Sequence, residues 1–181
     1  IKPVGLAFDR TNRRRASGLG RAIADAAAEA MAAAGVDASI APVVVGSSIG
    51  EASTMIGLLE GMWRTRTPMS PAAFTVSVHN AASGLLSISQ NNLGLTTSVA
   101  ADYDTPAATL LEGIGLIAAG HQHVVVVCAD EASPNSLIKE APQWDLLAAA
   151  VILAPADSPR RLATLQLTTA TPVTLPPADV D

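Results

Sequence analysis

The chain has 181 residues, 49% of them hydrophobic but only 3% aromatic, with 11 lysines and arginines against 16 aspartates and glutamates, a formal net charge of −5. That charge argues against nucleic acid as a main partner, and so few aromatics leave little on which bases could stack. One cysteine excludes an internal disulfide framework and fits a reducing, cytoplasmic setting.

The start, IKPVGLAFDRTNRRR, shows no apolar segment followed by a small-residue cleavage site, so no signal peptide is expected. Arg10, Arg13, Arg14, Arg15 and Arg21 gather in one short segment of an otherwise acidic chain. Ser17 is placed to cap a helix running to Ala34, alanine-rich inside and closed by Gly35. Pro42 to Gly46 reads as a short buried strand with proline at its first position. Gly46-Ser47-Ser48-Ile49-Gly50-Glu51 then resembles a phosphate loop only superficially. It lacks the Gly-Lys-Ser/Thr ending and the three-glycine dinucleotide spacing, so no nucleotide cofactor is expected.

Ser53 or Thr54 caps a predicted helix to Trp63, with Met55, Leu58, Leu59 and Met62 on one face. Ser70-Pro71 opens a short helical turn, and a second long helix spans about Asn80 to Asn92. A strand is expected at Leu95 to Ala100, then the turn Ala101-Asp102-Tyr103-Asp104, then a helix from Thr105 to Ala119. Val124 to Val127, four valines in a row, read as a central strand buried on both faces. Glu131 to Gln143 reads as a proline-bearing loop. Leu146 to Leu153 and Leu162 to Thr169 are two further strand candidates, paired antiparallel, and the tail from Thr171 is proline-rich with little core material. Strands alternating with helices and ending in successive strands predict an α/β layered fold with a mixed sheet in one domain. No run reaches the roughly eighteen apolar residues of a membrane span. So apolar and weakly charged a chain is expected to bury a large interface with another subunit.

The stretch from Ser70 to Glu131, SPAAFTVSVHNAASGLLSISQNNLGLTTSVAADYDTPAATLLEGIGLIAAGHQHVVVVCADE, resembles the N-terminal half of a β-ketoacyl synthase, the thiolase-like condensing enzyme of fatty-acid and polyketide assembly. The resemblance covers about Arg13 to Leu153. It implies a thiolase-like half with βαβαβ order and pairing with another subunit. It is strongest toward the short synthase-like proteins of aryl-polyene and type II polyketide gene sets, and toward chain length factors, partner subunits that lack the nucleophile. In the family a cysteine at the turn before the long helix is the nucleophile, its thiolate favoured by the helix N-terminus. Here that turn holds Asp102, Tyr103 and Asp104 and no cysteine.

Cys128 lies instead at the end of the valine strand, where Cys128-Ala129-Asp130-Glu131 partly matches a Gly-Gly-Thr-Glu-like family stretch. Without a neighbouring cation it reads as a small buried hydrophobe. His79 and Asn80 fall in SVHNAASG, matching a family segment near the dimer interface and acyl pocket. His121 and His123 lack a third ligand and make no metal site. No serine is paired with a base, and no Gly-x-Ser-x-Gly elbow is present. The resemblance therefore implies a non-catalytic subunit without a cofactor. Such a subunit pairs with a ketosynthase or with itself, and the arginine cluster docks an acidic, phosphate-bearing acyl carrier protein. Two alternatives stay open. One is an acyl-thioester hydrolase or decarboxylase using Asp102, Tyr103 or His79; the other is a homodimeric acyl-binding protein.

Overall fold

The computed structural model describes residues 2–134, 137 and 145–168. Asp9 opens a short helix, α1 (Arg10–Arg15), by accepting from the backbone N–H groups of Thr11 and Asn12. The sequence reading has no helix here; an aspartate cap satisfying two otherwise unpaired donors is enough to start one turn. Ser17 caps α2 (Gly18–Ala34) as expected, its hydroxyl accepting from the Gly20 N–H, and Gly35 closes it in the left-handed conformation (φ 65°). The rest of the order is β1 (Val43–Gly46), α3 (Ala52–Trp63), α4 (Pro71–Phe74), α5 (Ala81–Gln90), β2 (Thr96–Val99), a 3-10 turn (Asp102–Asp104), α6 (Thr105–Ala118), β3 (Val124–Asp130) and β4 (Leu147–Leu153).

The four strands form one mixed sheet in the order β2-β1-β3-β4. β1 runs parallel to both β2 and β3, with Val43 opposite Thr96 and Val125, and β4 returns antiparallel against β3. Strand alternation divides the valines between two cores. Val43, Val45, Val125 and Val127 pack with Leu19, Ile23, Ala24, Ala27 and Met31 of α2 and with Ala82 and Leu86 of α5. Val44, Val124 and Val126 face the other way, against Leu110, Leu116 and Ile117 of α6. The result is three layers, helix on sheet on helix, with the valine strand buried on both faces as its sequence predicts. Alanines in α2 let it lie close to the sheet, and Gly113 does the same for α6: a Cβ there would stand 2.6 Å from a Val126 methyl.

Two expectations are corrected. Neither Ser53 nor Thr54 caps α3; its N-cap position is Glu51, because α3 begins at Ala52 and already includes both residues. Residues 162–168 of the expected last strand form no strand and are exposed (Thr169 lies outside the described residues). The antiparallel partner of Leu147–Leu153 is β3 instead. Leu162, Leu165 and Leu167 have part of a strand's alternation but no neighbour to pair with, and β-propensity without a cross-strand partner is too weak to hold one. The expected loop from Glu131 to Gln143 is described at residues 131–134 and 137, and the tail from Thr171 lies outside the described residues.

Candidate functional site

Because β1, β2 and β3 are parallel, the loops following them emerge at one edge of the sheet, the edge at which open α/β sheets bind ligands. Three segments meet there: Ser47–Glu51 after β1, Ala100–Asp104 after β2, and Asp130 onward after β3.

The turn after β2 is a sharp elbow. Asp102 has φ 49°, in the left-handed region, which aspartate tolerates better than most side chains. Thr105, fully buried, holds the elbow: its hydroxyl accepts from the Ala101 N–H at 2.9 Å and donates to the Asp102 carbonyl at 2.6 Å. Asp104 occupies the N-cap position of α6 but makes no side-chain cap bond. Tyr103 projects into solvent, 93% exposed. The strand–turn–helix geometry that presents a nucleophile is thus present, with a carboxylate at its apex and no thiol.

Cys128 is elsewhere, in β3 opposite Gly46. Burial pushes its thiol above the ordinary value, a hydrogen bond with Thr109 pulls it back, and the charge of Asp130 pushes it up further. The net push is away from the thiolate, the form that acts as a nucleophile.

The Ser47–Glu51 loop is tied on all sides, by His79 and by two groups the sequence reading does not single out, Asp130 and the Ser47 hydroxyl. The Asp130 carboxylate accepts from the Ser47 hydroxyl at 2.7 Å and the Ser48 N–H at 2.9 Å. The Ser47 hydroxyl accepts in turn from the Gly50 N–H. His79 reaches in from the segment before α5, its Nε2 donating to the Ser47 carbonyl at 2.7 Å. Gly50 takes φ 56° directly beneath that imidazole, where an added Cβ would stand 2.7 Å from the ring. Asp130, Ser47 and His79 have the composition of a hydrolytic triad but the wrong connections. The imidazole bonds the serine's carbonyl and not its hydroxyl, and the hydroxyl of Ser47, a residue 2% exposed, donates its hydrogen bond to the carboxylate directly. No hydrogen bond joins His79 to Asp102, Tyr103 or Asp104, and Asn80 stands at the start of α5 without a side-chain cap bond. The signal for Asp130 is its position at the end of a central strand; the signal for Ser47 is a loop that fails as a phosphate motif.

Glu51 is 5% exposed, its carboxylate accepting from the Ser17 hydroxyl at 2.7 Å and the Thr54 hydroxyl at 3.2 Å. Burial pushes the Glu51 carboxyl above its ordinary value, the two hydroxyls pull it back, and the charge of Glu131 pushes it up again. A raised acid stabilises the fold most below the ordinary carboxylate range, and that contribution is lost as pH rises through the folded-state value. Glu51→Gln keeps the acceptor for Ser17 and removes the buried charge. It is therefore expected to raise the melting temperature at pH 7 to 8 while changing little near pH 4, a difference that thermal melts across pH read directly.

The arginine cluster is divided by its bonds. Arg13 donates to the carbonyls of Gly5 and Phe8, and Arg21 makes two bonds to the Ala16 carbonyl. Both serve the N-terminal segment. Arg10, Arg14 and Arg15 remain exposed, without hydrogen bonds or ion pairs among the described residues.

A second surface is apolar. α3 buries only Ala52. Its Met55, Leu59, Met62 and Trp63 are exposed, as are Met69, Phe74 and Val78 beyond it, with Trp63 at 73%. The Arg66 guanidinium lies 5.5 Å from the Trp63 ring centroid. An apolar helix that stands off the core in this way marks an interaction surface. His121 and His123 line a separate cleft of about 300 Å³ with Asp37 and Ile40 at the opposite end of β1 and β3. No three metal-ligating side chains converge among the described residues, and none of their helices is long and apolar enough to cross a membrane.

Among curated proteins none matches the chain. Solved structures do. The ketosynthase ApeO in complex with its chain length factor ApeC, from Xenorhabdus doucetiae, is similar with a TM-score of 0.69 and 26% identity, over 80% of this chain and 59% of that one. The ishigamide ketosynthase/chain length factor matches with a TM-score of 0.69 and 16% identity, over 87% of this chain and 49% of that one. A β-ketoacyl synthase from Burkholderia phymatum STM815 matches with a TM-score of 0.56 and 17% identity, over 76% of this chain and 35% of that one. The chain thus spans between about a third and three fifths of the length of these relatives. The family model described as the N-terminal domain of β-ketoacyl synthase matches residues 7–176. With the three-layer mixed sheet and the elbow after β2, this establishes that the chain belongs to the β-ketoacyl synthase N-terminal domain family.

Proposed function

We propose that the chain is a non-catalytic member of this family, working in the cytoplasm beside a ketosynthase subunit. It would assist acyl-chain elongation of aryl-polyene, polyketide or fatty-acid type, as a chain length factor does, by shaping the acyl channel and docking acyl carrier protein. The observation that carries this reading is the elbow after β2, which keeps a left-handed apex and a helix behind it but offers Asp102 in place of a thiol. A carboxylate is a poor acceptor of an acyl group from a thioester, because it returns that group too readily. Cys128, half-buried on another strand with its thiol pushed above the ordinary value, does not substitute.

Two further features support the pairing and docking parts. The exposed apolar face of α3 and α4 suits a subunit interface, and one relative of this fold is a ketosynthase bound to its chain length factor. Arg10, Arg14 and Arg15 offer free guanidinium groups to an acidic carrier, while Arg13 and Arg21 spend theirs on backbone carbonyls. The hydrolase reading with Asp102, Tyr103 or His79 gains no support, since no base is bonded to a nucleophile among them.

The test is intact-protein mass spectrometry after incubation with acyl- and malonyl-loaded carrier protein, with Cys128→Ser alongside. An unmodified mass and an intact malonyl carrier are expected. A covalent acyl adduct, or loss of CO2 from the malonyl group, overturns the non-catalytic reading and points to a nucleophile on this chain.

A further inference from the structure

The bonds around the Ser47–Glu51 loop describe an anion site that is already full. The Ser48 N–H, and at longer range the Ile49 N–H (3.5 Å), converge on Asp130 Oδ1, and the Ser47 hydroxyl donates to the same oxygen. Ser48 also reaches Oδ2 at 3.0 Å. Consecutive backbone N–H groups turned toward one point form a concavity that favours negative charge. Here the charge comes from the last residue of β3, distant in sequence but one strand over in the sheet.

The same loop fixes His79. A carbonyl oxygen can only accept, so the 2.7 Å contact between His79 Nε2 and the Ser47 carbonyl requires the proton on Nε2. Nδ1 of the neutral ring is then an acceptor, and no group among the described residues bonds it. Gly50 lies against the same ring, so close that an added Cβ would stand 2.7 Å from it. The orientation of Ser47 depends on the bond from its hydroxyl to Asp130. The carboxylate, the loop and the imidazole therefore form one chain of dependence.

We propose that the Ser47–Glu51 loop is an internally filled anion nest with Asp130 as its resident carboxylate, and that this filling sets His79 as the Nε2–H tautomer with Nδ1 presented as an acceptor. Asp130 is thus the positioning residue for His79, and the proposal stands or falls independently of the pairing reading above. A ring held in this way meets groups that bring a proton, such as an amide N–H or a hydroxyl.

The test reads the tautomer and refills the nest. Long-range proton–nitrogen correlation spectra of the full chain are expected to show His79 protonated at Nε2 and bare at Nδ1 at a pH where the ring is neutral. Asp130→Gly empties the nest, and the His79 signals are expected to move to a mixture of tautomers. Formate, a free carboxylate small enough for the vacated space, is expected to restore the Nε2–H pattern, while chloride at equal ionic strength is not. Asp130→Asn keeps the side-chain shape and one acceptor, so it retains the fold should the glycine variant unfold; it is expected to shift the tautomer balance part of the way. An Nδ1-protonated His79 in the parent protein overturns the proposal. So does a tautomer unchanged in both variants, or a rescue in which chloride equals formate.

Discussion

Gly46→Ala is expected to destabilise the fold by about 3 kcal/mol, at the upper end of what overpacking a core costs. Gly46 ends β1, the strand flanked on both sides, and its position is fixed by pairing with Val99 and Cys128. An added Cβ would stand 2.1 Å from the Thr109 hydroxyl and 2.9 Å from the Cys128 sulfur, both far inside contact distance. Thr109 has no room to yield: it is fully buried and its hydroxyl donates to the Thr105 carbonyl at 2.6 Å. Strand and helix must separate, and that separation takes α6 off the sheet at the point where the elbow begins. Thr109→Ala removes the nearer obstacle, so the pair Gly46→Ala with Thr109→Ala is expected to be more stable than the sum of the two single changes predicts. Denaturant unfolding of the four proteins measures that coupling. Strict additivity would show that β1 and α6 do not press on each other at Gly46.

The second large effect concerns assembly and leaves the fold alone. Leu59→Glu and Phe74→Glu place charges on the exposed face of α3 and α4, at side chains 45% and 54% exposed. In the free chain each costs within about 0.5 kcal/mol, as surface changes do. At an interface the same carboxylates would be buried without partners, and together they are expected to weaken association by roughly 100-fold. Analytical ultracentrifugation of the chain alone reads self-association. Co-purification with a ketosynthase subunit reads pairing. A double variant that associates as tightly as the parent in both assays would move the interface off this face.

Much of the fold is legible in the residues. Ser17 and Gly35 bracket α2, Pro42 stands just before the short strand it is expected to begin, and the valine run forms a strand covered on both sides. The family likeness is legible too, because it rests on local segments whose order along the chain is preserved. What is not legible depends on neighbours. Residues 162–168 carry leucines at strand-like spacing, yet whether a strand forms is decided by a vacant sheet edge elsewhere. Glu51 reads only as the last residue of a loop until Ser17, thirty-four residues earlier, is seen to bond it. The divided roles of the arginines are equally hidden. Nothing in the local sequence tells Arg13, bonded to two carbonyls, from Arg14, bonded to none. The site follows the same rule: His79 stands out for its type and surroundings, whereas Asp130 acquires its role only when β3 lies beside β1.

The single thiol has a use unrelated to acyl transfer. Cys128 pairs with Gly46 across the sheet and bonds Thr109 of α6, half-buried and with its thiol pushed above the ordinary value, so its reaction with a thiol reagent is expected to quicken when β1 and α6 draw apart. Its labelling rate is therefore a built-in clock for the opening of this seam. With one cysteine in the chain, the clock needs no engineering and has no background. It ticks at the place where the elbow, the loop after β1 and the central strands share their packing. Any partner that clamps the seam would slow it.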